Sequence, residues 1–205
     1  MTGLLFATHT EARPFLERGQ ALLMCKQPIF VYQIASRPML LAAVSGMGKV
    51  LAAVACQSLI REQRATEIIN AGACGALRDG PRFTPGRLFC IASVVEGDHR
   101  VMGKRPRPLT SEGQIDWALP SARLVTSDMP IFDLDRRDQL AAFGDLVDME
   151  GAAIARVAAM YQVPWTMIKG VTDSAGPTER ERLLQNLNSV SETIGALLWE
   201  RLENG

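Results

Sequence analysis

Short apolar runs and helix-like patterns alternate along most of the chain. Runs rich in β-branched and other apolar residues predict strands over residues 4–7, 29–34, 39–44, 67–71, 87–94, 124–126, 146–148 and 165–171. Helical patterns lie between them, over residues 10–18, from the glycine turn at 45–48 to about residue 61, and over 151–161. This alternation predicts an α/β fold, a single three-layer αβα domain whose largely parallel central sheet is covered by helices on both faces.

The C-terminal helix has the clearest pattern. Thr178 and Glu181 have the spacing of a capping box, in which the Thr hydroxyl and the Glu side chain each satisfy a backbone N–H. Apolar residues then recur three and four positions apart: Leu183, Leu184, Leu187, Val190, Ile194, Leu197, Leu198 and Leu202. We interpret this stripe as core packing without a catalytic part.

Residues 96–121 are polar and rich in Pro and Gly, which predicts a long loop. Loops of this length are usually functional or mobile. Asp98 and His99 lie in it and could contact a substrate, but solvated loop residues are the interpretation that we favour.

The charges are balanced, with 22 basic and 22 acidic side chains among 205 residues and a formal net charge of zero. Scattered charges of both signs argue against a nucleic-acid binder that relies on phosphate neutralisation. The apolar runs fall far short of the roughly 20 residues that span a bilayer, and the first residues lack the basic start of a signal peptide. We expect a cytoplasmic protein with one domain over residues 1–205 and no nucleic-acid or membrane partner.

Cysteine and histidine content excludes several chemistries. The four cysteines are far apart and form no C-x-x-C motif, and two histidines cannot build a His-rich metal site. The H-E-x-x-H, G-x-S-x-G and P-loop motifs of metalloproteases, α/β-hydrolases and nucleoside triphosphatases are missing as well. We therefore expect neither a metal nor a cofactor, and carboxylates are the candidate catalytic groups.

Three carboxylates follow predicted strands: Glu11, Glu150 and Asp173. In open α/β sheets, ligands bind beyond the carboxyl ends of the strands. Each residue taken alone is better explained as a helix cap or a solvated loop residue. Together at one edge of the sheet, beside two glycine-rich segments, they favour a site.

Each glycine-rich segment has two interpretations. The turn at 45–48 could direct backbone N–H groups at an anion or a sugar, or be a simple turn, since Leu51 replaces the third glycine of G-x-G-x-x-G. The stretch at 72–76 contains no side chain larger than Cys. Such a stretch lets the backbone approach a flat ligand or lets a helix pack closely on the sheet, and spacing alone does not separate the two.

Six segments follow one another in a particular order along the chain. They are A-T-H-T-E at 7–11, S-G-M-G-K-V at 45–50, N-A-G-A-C-G-A-L at 70–77, V-T-S-D-M-P-I at 125–131, V-D-M-E-G-A-A-I-A at 147–155 and G-V-T-D-S-A at 170–175. Together they resemble the nucleoside phosphorylase/nucleosidase family, and within it the 5′-methylthioadenosine/S-adenosylhomocysteine nucleosidase branch. The M-E-G-A-A segment with the later T-D is the most specific part.

The resemblance implies cleavage of the C–N glycosidic bond of a purine nucleoside. Asp173 matches the general acid that protonates the purine N7, which requires a pKa raised by desolvation. Glu150 matches the residue that binds the ribose hydroxyls, and we expect the dipole of the following helix to keep it ionised. Met149 would pack on the sugar, and Glu11 matches the residue that orients and activates the attacking water.

Further substrate-binding positions carried over from the resemblance are Ile131, Thr172, Ala73 and Gly75, with Ile131 as a backbone contact to the base. The sequence departs from the family pattern at two positions. Pro130 stands where the family has an aromatic residue that stacks on the base, and Lys169 stands where the family has Arg. The segment from 95 to 124 is also shorter than in typical members. In the family it helps to close the 5′ side of the pocket, often with the partner subunit of a homodimer.

Glu11 also favours hydrolysis over phosphorolysis. Phosphorylases of the family carry arginines near the N-terminus because a phosphate nucleophile needs cations, and a carboxylate would repel it. Arg13 is interpreted as a solvated residue at a helix start. The predicted substrates are 5′-methylthioadenosine, S-adenosylhomocysteine and, second, futalosine, while a phosphate-dependent phosphorylase and a non-catalytic purine-nucleoside binder are the alternatives.

Overall fold

The structure is a computed structural model that describes residues 1–98, 107–111, 117–177 and 179–202. Its strands are β1 (Thr2–Phe6), β2 (Leu22–Cys25), β3 (Phe30–Ile34), β4 (Arg37–Val44), β5 (Glu67–Ala76), β6 (Leu88–Glu96), β7 (Ser121–Thr126), β8 (Leu146–Asp148) and β9 (Trp165–Asp173). Its helices are α1 (His9–Arg18), α2 (Lys49–Arg61), α3 (Leu134–Ala141), α4 (Gly151–Met160) and α5 (Glu179–Arg201), with a 3-10 helix at Pro81–Phe83.

Every predicted strand and helix is present, with ends shifted by a few residues. The largest difference is in β5, which continues to Ala76, so the small-residue stretch is the second half of a strand and not a turn. A capping box is found at the start of α1, between Thr8 and Glu11. Thr178 of the capping box predicted for α5 and His99 of the predicted loop lie outside the described residues.

The strands form one mixed sheet in the order β2-β3-β4-β1-β5-β8-β7-β6-β9, and β9 also pairs with β5. β1 is parallel to β4 and β5, β5 to β9, and β7 to β6 and β8. β3 is antiparallel to β2 and β4, β8 to β5, and β9 to β6. Among the described strands, five pairings are parallel and four are antiparallel, so the prediction of a largely parallel sheet is confirmed only in part and the sheet is mixed.

Two of the antiparallel pairings, β5 with β8 and β6 with β9, lie where five strands, β5, β8, β7, β6 and β9, close into a ring. A parallel pair needs a long crossover, usually a helix, whereas antiparallel strands can be joined by short connections. The connection from β5 to β6 contains only the 3-10 helix, and β6 pairs antiparallel with β9. Strand–helix alternation along the sequence does not reveal such pairings.

Helices cover both faces of the sheet, as expected. Side chains of β1 alternate: Leu4 and Phe6 pack with α1 and α5, and Leu5 packs with α2 and α4 on the other face. None of the described helices combines the length and apolar character needed to cross a membrane.

The apolar stripe of α5 divides into two parts. Val190, Ile194 and Leu198 are at most 1% exposed and belong to the core, as predicted. Leu183 and Leu187, in the first turns of the helix, instead line a cavity at the sheet edge. Assigning the whole stripe to core packing is therefore wrong for its first turns.

Candidate active site

The ends of β1, β5, β8 and β9 and the start of α5 surround a cavity of about 160 Å³. The eight residues that the sequence assigns to the site all line it: Glu11, Ala73, Gly75, Ile131, Met149, Glu150, Thr172 and Asp173. The structure thus brings together side chains from both halves of the chain.

Glu11 is held in the cavity wall by three donors. It is the third residue of α1, where the Thr8 side chain accepts from its backbone N–H. Oε2 of Glu11 accepts hydrogen bonds from the Thr8 N–H at 2.8 Å and from the Thr8 hydroxyl at 2.9 Å. Oε1 accepts from the N–H of Ala73 at 2.8 Å, which joins α1 to β5. Glu11 is 7% exposed, and with these three donors its carboxylate has a defined position.

The small residues of β5 make room for two carboxylates. A β-carbon added to Gly72 would lie 2.6 Å from Oε1 of Glu11. One added to Gly75 would lie 3.1 Å from Oδ2 of Asp173. Of the two interpretations of this stretch, helix packing is therefore not the reason for its glycines, since both face the cavity's acidic side chains.

Asp173, the last residue of β9, is 3% exposed. Its Oδ1 accepts a hydrogen bond from the Thr172 hydroxyl at 2.7 Å, and its Oδ2 accepts from the Ala175 N–H at 3.0 Å. Ala175 has a positive φ of 50°, a backbone conformation that turns the chain after the strand. The carboxyl group is therefore inside the cavity wall and not in solvent.

Glu150 precedes α4 but does not use the N–H groups of that helix. The Gly151 N–H donates to Asp148 and the Ala152 N–H donates to Thr126. Oε1 of Glu150 instead accepts from the N–H of Gly48 at 2.7 Å. The anion that the glycine turn faces within the chain is thus this carboxylate.

Burial changes the charge that Glu150 carries. Desolvation, followed by the negative charge of nearby Asp148, raises the pKa of Glu150 to about 7, although Lys169 and the Gly48 N–H oppose the shift. The dipole of α4, which was expected to keep this carboxylate ionised, therefore does not hold its pKa in the usual range of a glutamate. The reason is local, because Asp148 takes the helical N–H that would have stabilised the charge.

A buried ion pair lies behind Glu150. Nζ of Lys169 is 2.8 Å from Oδ2 of Asp148, and the two side chains are 2% and 1% exposed. Burial by itself lowers the pKa of Lys169, but the charges of Asp148 and Glu150 outweigh it and raise the pKa. Asp148 also accepts from the Thr126 hydroxyl at 2.7 Å. A charged lysine therefore compensates part of the acidic cluster.

Comparison with known proteins identifies the family. A model of the phosphorylase superfamily matches residues 4–203. The chain belongs to this superfamily. It is 31% identical over 167 residues to a 5′-methylthioadenosine nucleosidase of Arabidopsis thaliana, and 30% identical over 164 residues to a 5′-methylthioadenosine/S-adenosylhomocysteine nucleosidase of the same plant. Each match covers 74% of this chain but only 61% and 64% of the relatives, less than two thirds of their length.

The fold of the chain is also found in a solved structure. A futalosine hydrolase mutant of Helicobacter pylori superposes with a TM-score of 0.89, covering 100% of this chain and 99% of that chain at 16% identity. The family resemblance drawn from the six sequence segments is thus confirmed. In the described part of the chain, no group of three or more His, Cys, Asp or Glu side chains is placed to hold a metal ion.

Some residues of this superfamily site are missing from the sequence prediction. The sequence does point to Asp148, because it is an acidic residue that ends an apolar strand two positions before Glu150. Its pairing with Lys169 could not be predicted from the sequence. Phe132, two residues beyond Pro130, also lines the cavity and is an aromatic residue in the same wall. Since the sequence places the stacking position at Pro130, only the path of the loop shows that Phe132 reaches the cavity.

Asp98 is not the solvated loop residue that the sequence suggests. Its carboxylate forms ion pairs with Arg136 at 2.6 Å and with Lys49 at 3.3 Å. It does not line the cavity. Arg13, in contrast, is exposed and donates to Asn188, in agreement with its interpretation as a surface residue.

Proposed function

We propose that the chain is a purine nucleosidase that hydrolyses the N-glycosidic bond and releases the free base. The observation that carries the proposal is the meeting of Glu11, Glu150 and Asp173 in one cavity. Departure of the base leaves positive charge on the ribose, so the reaction needs an acid at the base, a grip on the sugar and a positioned nucleophile. Three carboxylates in separate environments can divide these tasks.

The proposed division follows from the surroundings of each group. Asp173, nearly without solvent, donates a proton to N7 of the base beside Gly75 and Ile131. Glu150 accepts hydrogen bonds from the ribose hydroxyls while Met149 packs on the sugar. Proton donation to the departing base by a positioned acid such as Asp173 is typically worth a factor of about 10²–10⁴ in rate.

Glu11 is proposed to hold the attacking water. A carboxylate has about four lone-pair sites, and three are taken by the two Thr8 donors and the Ala73 N–H. The remaining site can accept a hydrogen bond from water and remove its proton as it attacks the sugar carbon. The fixed position of Glu11 orients that water before the reaction.

The charges of the cavity favour water over phosphate as the nucleophile. Among the described residues, the cavity lining contains Glu11, Asp148, Glu150 and Asp173 but no Lys or Arg. The buried cation behind Glu150, Lys169, is paired with Asp148. A phosphate dianion would meet carboxylates without a compensating cation, which opposes phosphorolysis.

The proposed substrates are 5′-methylthioadenosine and S-adenosylhomocysteine, supported by the names of the two plant relatives. Futalosine is the second candidate, supported by the Helicobacter pylori structure. The 5′ substituent distinguishes these nucleosides, and residues 99–106 and 112–116, within the segment that would contact it, lie outside the described residues.

A nucleoside panel tests this proposal. Each of the three nucleosides is incubated with the protein, with and without inorganic phosphate, and free base and ribose-1-phosphate are measured. Hydrolysis predicts base release that phosphate does not stimulate. Stimulation with ribose-1-phosphate as product would indicate a phosphorylase, and binding without turnover of any nucleoside would indicate the non-catalytic alternative.

We further propose a homodimer, supported by an exposed apolar stripe that begins just before α2 and continues along its first turns. Met47, Val50, Leu51 and Val54 are 65%, 77%, 45% and 40% exposed and follow helical spacing. Met47 also lines the cavity, so a second copy on this stripe would complete the pocket mouth. Sedimentation of the wild-type chain and of Val50→Asp tests this, since the variant is expected to be monomeric.

A cytoplasmic location and a single catalytic domain complete the proposal. The four cysteines are free thiols, which suits a reducing compartment. The cavity takes its walls from strands spread between β1 and β9, so neither half of the chain could form it alone.

A further inference from the structure

Six charged side chains outside the cavity lining form one ionic cluster: Lys49, Glu96, Asp98, Asp128, Arg136 and Arg156. Nζ of Lys49 lies 2.9 Å from Glu96, 3.3 Å from Asp98 and 3.1 Å from Asp128. Arg136 pairs with Asp98 at 2.6 Å, and Arg156 lies 4.0 Å from Glu96. Three cations thus face three carboxylates, from α2, β6, the loop after β7, α3 and α4.

Asp98 is the centre of this cluster. Its Oδ1 accepts from Arg136 and from the Ser127 hydroxyl at 3.2 Å. Its Oδ2 accepts from Lys49 and from the backbone N–H of Asp128 at 2.5 Å. Ser127 and Asp128 begin the irregular segment between β7 and α3, residues 127–133, which we call the base-side loop. Asp98 therefore fastens the start of this loop.

The base-side loop forms one wall of the cavity. Met129, Pro130, Ile131 and Phe132 all line it. The loop has no helix or strand of its own, so its position depends on side-chain contacts. Beyond the Asp98 contacts, the Ser127 N–H donates to the Asp148 carbonyl at 2.9 Å.

Lys49 connects the cluster to the opposite wall. It is the first residue of α2 and directly follows Gly48, whose N–H holds Oε1 of Glu150 at 2.7 Å. Gly48 has a positive φ of 98°, a conformation that other residues rarely adopt. Fixing Lys49 therefore also fixes the amide that places Glu150.

The inner part of the cluster is shielded from solvent, whereas Asp128 and Arg156 at its edge are 66% and 57% exposed. The Lys49, Asp98 and Glu96 side chains are only 13%, 25% and 23% exposed. Partial burial opposes the charge of Asp98, but the Asp128 N–H and Lys49 outweigh it and lower its pKa below the usual range. Burial likewise opposes the charge of Lys49, while Glu96 and Asp128 raise its pKa. Both residues are therefore charged at neutral pH.

We propose that Asp98 and Lys49 are positioning residues for nucleoside binding, which hold the base-side loop at a set distance from the wall that carries Glu150. The inference rests on the proposed nucleosidase function. Neither side chain lines the cavity, so the pair acts through Ile131 and Phe132 on one side and through Gly48 and Glu150 on the other. Loosening the pair weakens the binding of the substrate, whereas Glu11 and Asp173, which are held by other contacts, stay in place.

The test compares four variants with the wild-type chain. Asp98→Asn and Lys49→Gln remove one charge each, Lys49→Arg keeps the charge, and Asp145→Asn is the matched control. Asp145 also joins two arginines, at 2.7 Å to Arg78 and 2.9 Å to Arg123, but it does not line the cavity or contact the base-side loop. For each, kcat and KM for 5′-methylthioadenosine and hydrogen exchange of residues 127–133 are measured.

The expected results separate positioning from stability. Asp98→Asn and Lys49→Gln raise KM on the order of tenfold with kcat within about twofold, and Lys49→Arg recovers most of the loss. The base-side loop exchanges faster in Asp98→Asn, whereas Asp145→Asn changes neither KM nor this exchange. If the wild-type chain is active and Asp98→Asn and Lys49→Gln leave KM unchanged, the inference is overturned. It is also overturned if Asp145→Asn raises KM as much as they do.

The proposed function can fail separately. If the wild-type chain releases no base from any nucleoside, hydrogen exchange alone decides whether the cluster holds the loop. Faster exchange of the Asp128 amide in Asp98→Asn then upholds the fastening, and unchanged exchange overturns it.

Discussion

Glu11 and Gly72 are fitted to each other across the interface between α1 and β5. A β-carbon on Gly72 would stand 2.6 Å from Oε1 of Glu11, closer than two such atoms can come. The same carboxylate oxygen accepts the Ala73 N–H at 2.8 Å. Gly72 is thus required by the position of an acidic side chain 61 residues earlier in the chain.

Gly72→Ala should therefore move Glu11 and slow the reaction. The added methyl group pushes the carboxylate off its Ala73 donor, and a displacement of about 1 Å at a reacting group can cost about 100-fold in rate. We expect a fall in kcat of this size in steady-state assays of base release. Gly3→Ala is the control, because its β-carbon would also be crowded, at 3.2 Å from Ile68 and Leu59, but far from the cavity. That variant should lose stability and keep kcat, and equal losses of kcat in both would contradict the assignment.

Asp173→Asn should reduce kcat at least about 100-fold, because an amide cannot give the leaving base its proton. The fold should survive, since the amide oxygen can still accept from the Ala175 N–H. The comparison uses kcat together with the thermal midpoint. A variant that stays folded and turns over at the wild-type rate would exclude Asp173 as the general acid.

The pH dependence of substrate binding should follow Glu150. Its pKa is raised to about 7 by burial and by Asp148, so the group gains a proton as the pH falls through neutrality. Protonation removes the charge that strengthens its hydrogen bonds with the ribose hydroxyls. We expect KM to rise from a plateau near pH 8 as the pH is lowered to about 6.

A nucleoside analogue without the 2′ and 3′ hydroxyls is the control for this effect. The affinity of the protein for this analogue, measured by calorimetry, should be lower. It should also lack the pH dependence that the protonation of Glu150 causes. A KM for the normal nucleoside that stays constant over the same range would contradict the role of Glu150 in binding the sugar.

The buried pair of Lys169 and Asp148 should be essential for stability. Lys169→Met leaves Asp148 charged and unpaired among other carboxylates, and breaking a buried ion pair from one side costs about 3–5 kcal/mol. Urea unfolding should show a loss of this size. Because the penalty comes from the orphaned charge, adding Asp148→Asn to Lys169→Met should restore part of the stability. Additive losses in the double variant would mean that the two side chains do not interact.

Secondary structure was predictable where burial produces a strong pattern. β9, whose nine residues are all buried, appears in the sequence as an apolar run. α3 does not, because Arg137 and Leu140 are its only buried residues within Leu134–Ala141 and its apolar positions are too sparse for a helical stripe. All four residues of β2 are exposed at the edge of the sheet, so no pattern of burial along them shows that the strand pairs with β3.

The candidate site was predictable to a similar extent. The identities of Glu11, Glu150 and Asp173 and their positions after strands follow from the sequence, and all three line the cavity. Their partners do not follow, because the Gly48 amide that holds Glu150 is 102 residues away and the Ala73 amide that holds Glu11 is 62 residues away.

The sequence by itself determined where strands and helices alternate, which acidic residues follow strands and which segments identify the family. Each of these features depends only on positions that are neighbours along the chain. Tertiary structure alone decided the mixed directions of the sheet, the closure of β9 onto β5 and the raised pKa of Glu150. The physical reason is that strand pairing and desolvation depend on distances through space, between segments that the chain brings together only when it folds.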